Sequence, residues 1–274
     1  MRALARPRPL KPTSIRRRTT DRRHPIPRIF TTPLDLASIA FDPIAAIEKL
    51  AESALFVILR EREKVNVRVD GALAEVLSGS VRGAKISGTS WASPKRLTCR
   101  EITLEVGACE VDPGAVLALR GIVFKRPASG RARLTFDSVD WGNFLTHDVF
   151  KAYVRKVGTD GLTFEGGTSA SVTTDGRLAF VASWRRERWR CELEARDNNE
   201  ITMRCASANG STSDEETARA LERELETFFE RLVVELDGSE LKYAGMRVDG
   251  ARGRADFNLD LVVNRFPNPV TARF

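Results

Sequence analysis

Lys64-Val65-Asn66-Val67-Arg68-Val69-Asp70 is the stretch whose period settles the class of fold. Val65, Val67 and Val69 alternate with Asn66, Arg68 and Asp70, so a strand here buries one face and wets the other. The residues before it follow a different period. Asp42-Pro43 supplies an N-cap acceptor, then a proline whose missing amide donor costs nothing in a first turn. Ile44, Ile47, Ala51, Ala54, Leu55 and Ile58 recur at helical spacing until Glu61-Arg62-Glu63 ends the stripe. An amphipathic helix therefore runs directly into a half-buried strand.

Alternation recurs downstream. Residues 81–89, interrupted at Gly83 and Gly88, then 100–106, 116–124 and 131–136 read as strands. Asp137-Ser138-Val139-Asp140 opens a short helix carrying Trp141, Phe144 and Leu145. Strands are expected at 162–164 and 169–173, and Asp175-Gly176 is a two-residue hairpin loop before Leu178, Phe180 and Ala182. Residues 189–196 and 201–206 flank a turn at 197–199. Ser213-Asp214-Glu215-Glu216 fits a capping box, and Leu221, Leu225, Phe228 and Leu232 mark the apolar stripe of the helix that follows. Strands at 233–236, 241–248 and 257–263 close the chain, the first two joined at Asp237-Gly238. Two substantial helices and about ten strands without βαβ alternation give an α+β class. The expected architecture is a long curved antiparallel β-sheet with amphipathic helices packed against one face.

Charge is distributed unevenly. Ten of the 44 Lys and Arg residues lie in the first 34 positions beside one acid, Asp21, so that stretch carries +9 where the whole chain carries +7. The remainder is close to neutral, which removes the basic folded surface that counterion release from nucleic acid requires. Pro7, Pro9, Pro12, Pro25 and Pro27 deny the terminal stretch a continuous helix, and its apolar content is too low for a secretory core. An Arg-rich, acid-poor N-terminus with interspersed Ser and Thr reads as an organelle transit peptide over residues 1–34. A chloroplast is the expected destination because prolines interrupt any amphipathic helix, with a mitochondrion as the alternative. An attached basic arm is the other reading. Residues 35–274 then form a single α+β domain, with no run near the ~18 apolar residues of a membrane-spanning helix.

Residue types that organise catalysis are sparse. His147-Asp148 lacks any nucleophile-elbow or reactive-cysteine context, and no GxGxxG, P-loop or HExxH pattern occurs. Cys99, Cys109, Cys191 and Cys205 show no CxxC spacing, so neither a metal site nor a cofactor is expected. Cys191 and Cys205 flank the 197–199 turn and either face each other or lie apart as separate buried thiols. Two features stand out. In Trp184-Arg185-Arg186-Glu187-Arg188-Trp189-Arg190, a two-residue loop at Arg186-Glu187 makes Trp184 and Trp189 cross-strand partners bracketed by arginines. Such a pair suits a membrane interface with anionic headgroups, stacking on nucleic-acid bases, or plain stabilisation beneath a solvated arginine rim. The second feature is 14 Phe against only two Tyr. This apolar inventory either closes on a solid core or leaves an apolar channel.

Six motifs then line up. Ile86-Ser87-Gly88-Thr89-Ser90-Trp91 leads through Ser93-Pro94 and Leu97-Thr98 into Ile102-Thr103-Leu104-Glu105-Val106-Gly107. Val111-Asp112-Pro113-Gly114-Ala115-Val116, Phe136-Asp137-Ser138-Val139-Asp140-Trp141-Gly142-Asn143-Phe144-Leu145, Leu236-Asp237-Gly238-Ser239-Glu240-Leu241 and Arg265-Phe266-Pro267-Asn268-Pro269 follow. In order and spacing, over residues 42–269, the chain resembles the plant and cyanobacterial branch of the LmeA-type phospholipid-binding family. The resemblance implies an elongated sheet wrapped around helices with an apolar lipid cavity, similar to tubular lipid-binding (TULIP-like) domains. It also implies an anionic phospholipid ligand, phosphatidylinositol in the characterised branch, and offers no catalytic motif to carry over.

The expected function is thus non-catalytic binding, with transfer as one form of it, of a phospholipid or glycolipid whose acyl chains enter between sheet and helices. Ile47, Leu55, Leu104, Val106, Phe124, Phe144, Phe228 and Leu232 are the expected cavity lining. Trp184, Arg186, Arg188, Trp189 and Arg190 are the expected contacts to a headgroup or membrane. A membrane-associated scaffold or assembly factor in the plastid is the alternative and RNA binding a third reading, although no nucleic-acid partner is expected.

Overall fold

The alternating segments pair into antiparallel sheets. The computed structural model describes residues 43–117, 122–157, 161–196, 200–210, 215–236 and 238–266. They begin with α1 (Pro43–Ile58), β1 (Lys64–Asp70), α2 (Leu73–Leu77), β2 (Ser80–Val81), β3 (Gly83–Ala92), β4 (Thr98–Val106), β5 (Cys109–Glu110) and α3 (Pro113–Leu117). Next come β6 (Ala128–Phe136), α4 (Ser138–Thr146), α5 (Asp148–Val157), β7 (Thr163–Glu165), β8 (Ser171–Val172) and β9 (Leu178–Trp184). The last are β10 (Glu187–Ala195), β11 (Ile201–Ser207), α6 (Glu215–Glu230), β12 (Val233–Leu236), β13 (Ser239–Asp249) and β14 (Arg254–Val263). The expected transit segment, the Asp42 cap, the 197–199 turn, Ser213-Asp214, Asp237 and Pro267-Asn268-Pro269 lie outside the described residues.

The large sheet has seven strands in the order β1-β3-β4-β6-β14-β13-β12. The second has five, with β11-β10-β9-β7 in sequence and β8 also pairing β9, and β2 pairs β5 separately. The class is α+β, as the sequence predicts, but the strands divide between sheets, and no sheet is strongly curled or closed. The reason is that β9 and β10 carry their own inward apolar face, with Leu178, Phe180, Ala182, Trp184, Trp189, Cys191 and Leu193 all buried, and so need their own packing partners.

Those partners are α4, α5 and α6, and Trp141 is where the layers meet. Its side chain is fully buried, 5.8 Å from Phe257 of β14, 6.1 Å from Phe180 of β9 and 6.0 Å from Phe229 of α6 between ring centroids. Sequence places it there through the cap of α4. The Asp137 carboxylate accepts hydrogen bonds from the backbone N–H groups of Val139 and Asp140, each at 2.9 Å, and Arg100 of β4 donates to its other oxygen at 2.6 Å. The helix is therefore tied at its start to the sheet it covers.

The two outermost strands on which α1 and α6 lie are closed in the same way. Glu48 and Glu52, one turn apart on α1, accept from the backbone N–H groups of Val69 and Val67 at 2.8 and 3.3 Å. Glu222 and Glu226 of α6 accept from Cys205 and Met203, both at 2.9 Å. Carboxylates at i, i+4 thus satisfy alternate donors of β1 and β11, which would otherwise offer themselves to another chain.

Local differences from the sequence expectation have local causes. Residues 116 and 117 end a short helix instead of starting a strand, because the Asp112 carboxylate caps the N–H groups of Gly114 and Ala115 at 2.8 and 3.2 Å and Pro113 opens the turn. Phe124 makes only an isolated bridge to Val111. The loop before β9 is three residues long, since Thr173 pairs with Arg177 and Gly176 takes the left-handed conformation at φ 84°. Helix α5, which period analysis did not anticipate, buries Phe150 and Tyr153.

Substitution at the meeting point of the layers gives a direct check. Trp141→Ala should lower the free energy of unfolding in urea by about 3–5 kcal/mol. Trp141→Phe should cost well under half of that, because it also removes a buried indole N–H that has no partner among the described residues.

Candidate apolar cavity

The side of the large sheet that faces α1 and α4 carries aligned apolar rows. Val106, Gly130, Leu261, Leu241 and Val234 stand in register across five strands, and Leu104, Ala132 and Leu259 form the neighbouring row. Gly130 and Ala132 sit in the middle of these rows on β6. At Gly130 glycine is demanded by close approach, since a Cβ would lie 2.1 Å from the carbonyl oxygen of Glu105.

Two cavities lie over these rows. The first, about 160 Å³, is floored by β3, β4, β6, β12, β13 and β14, and covered by Leu55 of α1, Leu59 just past its end and Phe144 of α4. The second, about 120 Å³, lies under Ile47, Ala51 and Leu55 of α1 and over Val67, Ile86 and Val106. Leu55, Leu104, Ser239 and Leu261 line both, so the two spaces lie end to end. Among the described residues no charged side chain lines either one.

The few polar groups on the walls are mostly engaged. Ser93 accepts through Oγ from the Leu97 N–H at 3.0 Å, and Asn143 donates to the Thr98 hydroxyl at 3.0 Å. Trp91 donates its indole N–H to the Lys64 carbonyl at 2.9 Å while its ring lies flat over Gly88, where a Cβ would come within 1.9 Å of the ring nitrogen. Cys99 lines the first cavity, and burial foremost pushes its thiol up to about 12, so it stays neutral at physiological pH. Behind the Thr98–Cys99 wall lies an ion-pair cluster in which the partly exposed Arg100 reaches Asp137 at 2.6 Å and the buried Asp140 at 3.3 Å. Burial raises the Asp140 carboxyl, opposed by a hydrogen bond from Thr98.

The expected lining residues separate cleanly. Phe144 and Leu232 line the first cavity, Ile47, Val106 and Phe124 the second, and Leu55 and Leu104 both. Phe228 lines neither. Its ring packs 5.0 Å from Tyr153, 5.3 Å from Phe229 and 5.7 Å from Phe164, inside the aromatic core between the helices and the small sheet. The helical stripe that includes Phe228 is continuous in sequence, but the chain leaves α6 before Leu232, which turns that residue alone toward the cavity. The floor residues Leu241, Phe257, Leu259 and Leu261 were missed as lining. Their period-two alternation was visible, but not that β14 sits in the middle of the sheet.

The hairpin residues lie elsewhere. The turn is Arg185-Arg186, with φ of 51° and 70°, so Trp184 pairs with Glu187 and Trp189 with Ala182; the two tryptophans are not cross-strand partners. Both indoles are buried, Trp184 at 4% exposure and Trp189 at 0%. This register lets Arg185 stack over Trp184 at 4.1 Å and lets Arg188 fork onto both oxygens of Glu165, each at 2.7 Å. Arg186 occupies the turn and Arg190 is exposed, and none of the five residues lines either cavity.

Comparison of the chain with protein-family models, curated proteins and solved structures gave no match. Among the described residues no group of three or more His, Cys, Asp or Glu is placed to hold a metal ion, and no helix is long and apolar enough to cross a membrane.

One titratable group braces the turn that walls the first cavity. His147, at the junction of α4 and α5, is buried, accepts at Nδ1 from the Val149 N–H at 3.2 Å, and neighbours Asp148, which meets Lys95 of the β3–β4 turn at 3.7 Å. Burial lowers the imidazole from its ordinary 6.5, outweighing the carboxylate of Asp148. A depressed folded value means the unfolded chain takes up the proton first. The stability His147 contributes is therefore complete above pH 6.5 and is lost as pH falls through the folded value. Thermal denaturation between pH 7 and pH 5 should show a larger loss of Tm for the native protein than for His147→Gln.

Proposed function

We propose that the protein binds a phospholipid or glycolipid without converting it, and that an acyl chain occupies the two adjoining cavities. The observation that carries this is an adjoining pair of apolar spaces, about 160 and 120 Å³, with no charged side chain among the described residues that line them. A packed interior holds few voids larger than a water molecule. Both spaces open partly to solvent, so a hydrocarbon occupant would cover apolar wall that water otherwise wets, at about 25 cal/mol per Å².

Chemistry narrows the occupant. Apolar cavities of about 150 Å³ stay dry and take up hydrocarbon, and together these two approach the roughly 300 Å³ at which ligand pockets begin. Burial of eight methylenes would contribute about 6 kcal/mol at ~0.8 kcal/mol each, before ordering costs. A charged headgroup has no partner inside and would remain at the rim, because unpaired burial of its charge is prohibitive.

The motif resemblance to the LmeA-type family supports the same ligand class. In this view the large sheet with α1 and α4 is an open apolar wall that plays the part of the lipid-holding wall in TULIP-like domains, and peripheral membrane contact accompanies loading or transfer of the lipid. Residues 1–34 would direct the protein to the chloroplast.

Titration with a long-chain fatty acid bearing an environment-sensitive fluorophore tests the proposal. The native protein should bind it saturably with a blue shift, and Leu104→Trp, which fills the junction of the cavities, should weaken binding at least tenfold while circular dichroism is retained. Absence of saturable binding in the native protein would overturn the proposal, as would undiminished binding in both Leu104→Trp and Leu261→Trp.

A further inference from the structure

Cys191 on β10 and Cys205 on β11 face each other directly in the small sheet, with their sulfurs 3.2 Å apart. The ladder around them fixes the kind of pair they form. Ala208 donates to the Arg188 carbonyl and Arg196 donates to the Glu200 carbonyl, both at 2.9 Å, so inter-strand hydrogen bonds fall on the even-numbered positions of β10. Cys191 and Cys205 therefore occupy a non-hydrogen-bonded pair, the arrangement with the shortest Cα separation, about 4.5 Å. This lies within the range that a disulfide spans, and closing to a bond of about 2.05 Å takes little more than 1 Å of sulfur travel. The N–H of Cys205 points the other way, to Glu222 at 2.9 Å, so bond formation would disturb no ladder hydrogen bond.

We propose that Cys191 and Cys205 are a reversible disulfide site whose oxidant is another disulfide, and that the bond fastens β11, with α6 resting on it, to the body of the small sheet. Cys205 is half-buried and Cys191 fully buried, which orders the steps. The Cys205 thiolate attacks one sulfur of RS–SR, giving a mixed disulfide and releasing RS⁻, which takes a proton to become RSH. The Cys191 sulfur then displaces the second RS⁻ and gives its own proton to solvent. Two thiols become one disulfide, and the oxidant leaves as two RSH carrying the two electrons.

The hydrogen bond to Cys191 and burial raise the Cys205 thiol well above its ordinary value, with Glu222 and Glu226 adding to the effect. Air oxidation and disulfide exchange both run through the thiolate, so the crosslink forms slowly at neutral pH and faster as pH rises. Cys99 and Cys109 line different cavities and offer no competing pair.

The consequence is mechanical. β11 holds α6 through the carboxylates of Glu222 and Glu226, and α6 carries Leu221, Leu225, Phe228 and Phe229 into the core. Oxidation joins that unit covalently to β10 by closing a short loop, so the folded state gains against the unfolded chain.

The full chain, purified reduced and then exposed to oxidised glutathione, provides the test, read by peptide mapping and thermal denaturation. The expected result is a single 191–205 crosslink, a mass lower by two hydrogens, and a Tm higher by roughly 5–10 °C, all reversed by dithiothreitol and all retained in the Cys99→Ser/Cys109→Ser double variant. A stable glutathione adduct on Cys205, or two free thiols after prolonged exposure of the folded protein, would overturn the proposal. So would a crosslink that forms only in denaturant. The outcome does not depend on whether lipid occupies the cavities.

Discussion

The cavity-facing side of the seven-stranded sheet is apolar across its width, and the elements that cover it do not fill the space above it. Trp141, Phe144 and the aromatic residues of α5 and α6 close one end, and α1 closes the other. Between them the floor is made by Leu104, Leu134, Leu241, Phe257, Leu259 and Leu261, with Leu55 and Phe144 above. Most of the remaining structure can be understood as holding this gap open against the tendency of apolar layers to collapse.

Three polar devices resist that collapse. The cap of α4, bound to Arg100, fixes the helix to the sheet at a set height. Glu48 and Glu52 hold α1 against β1, and Glu222 with Glu226 hold α6 against β11, so each helix is positioned by hydrogen bonds to backbone and not solely by the packing of its apolar stripe. Tyr153 adds a fourth fixing point, donating its hydroxyl to the Arg231 carbonyl at 2.6 Å and so joining α5 to the end of α6. Hydrogen bonds such as these, charge-assisted where a carboxylate accepts, are directional, whereas apolar burial is not. That difference is what lets a void survive beside a well-packed core.

Sequence made some of this legible. Period alone located α1, β1, β4, β6, α6 and the last three strands, because each buries a regular set of side chains. It also pointed to the lining residues on α1 and β4. It did not show which strands pair. β6 lies between β4 and β14, and Thr135 of β6 hydrogen-bonds Asp256 of β14 at 2.6 Å across 121 residues of chain. No local pattern encodes such long-range pairing, so one sheet was expected where the strands divide among a seven-stranded, a five-stranded and a two-stranded sheet. The hairpin at 184–190 failed for a related reason. Arg185-Arg186 and Arg186-Glu187 are both polar dipeptides, and the choice was decided by contacts from Arg185 to Trp184 and from Arg188 to Glu165 that only the assembled sheet supplies. The two tryptophans, suggestive of a surface in sequence, are core residues.

Lipid carriage is best checked by native mass spectrometry of the chain purified without added lipid or detergent. A population of molecules should be heavier than the sequence mass by that of a phospholipid or glycolipid, with the adduct lost when Leu104→Trp fills the junction. Protein that flies only at its sequence mass, and yields no acyl-containing compound on solvent extraction, would contradict it.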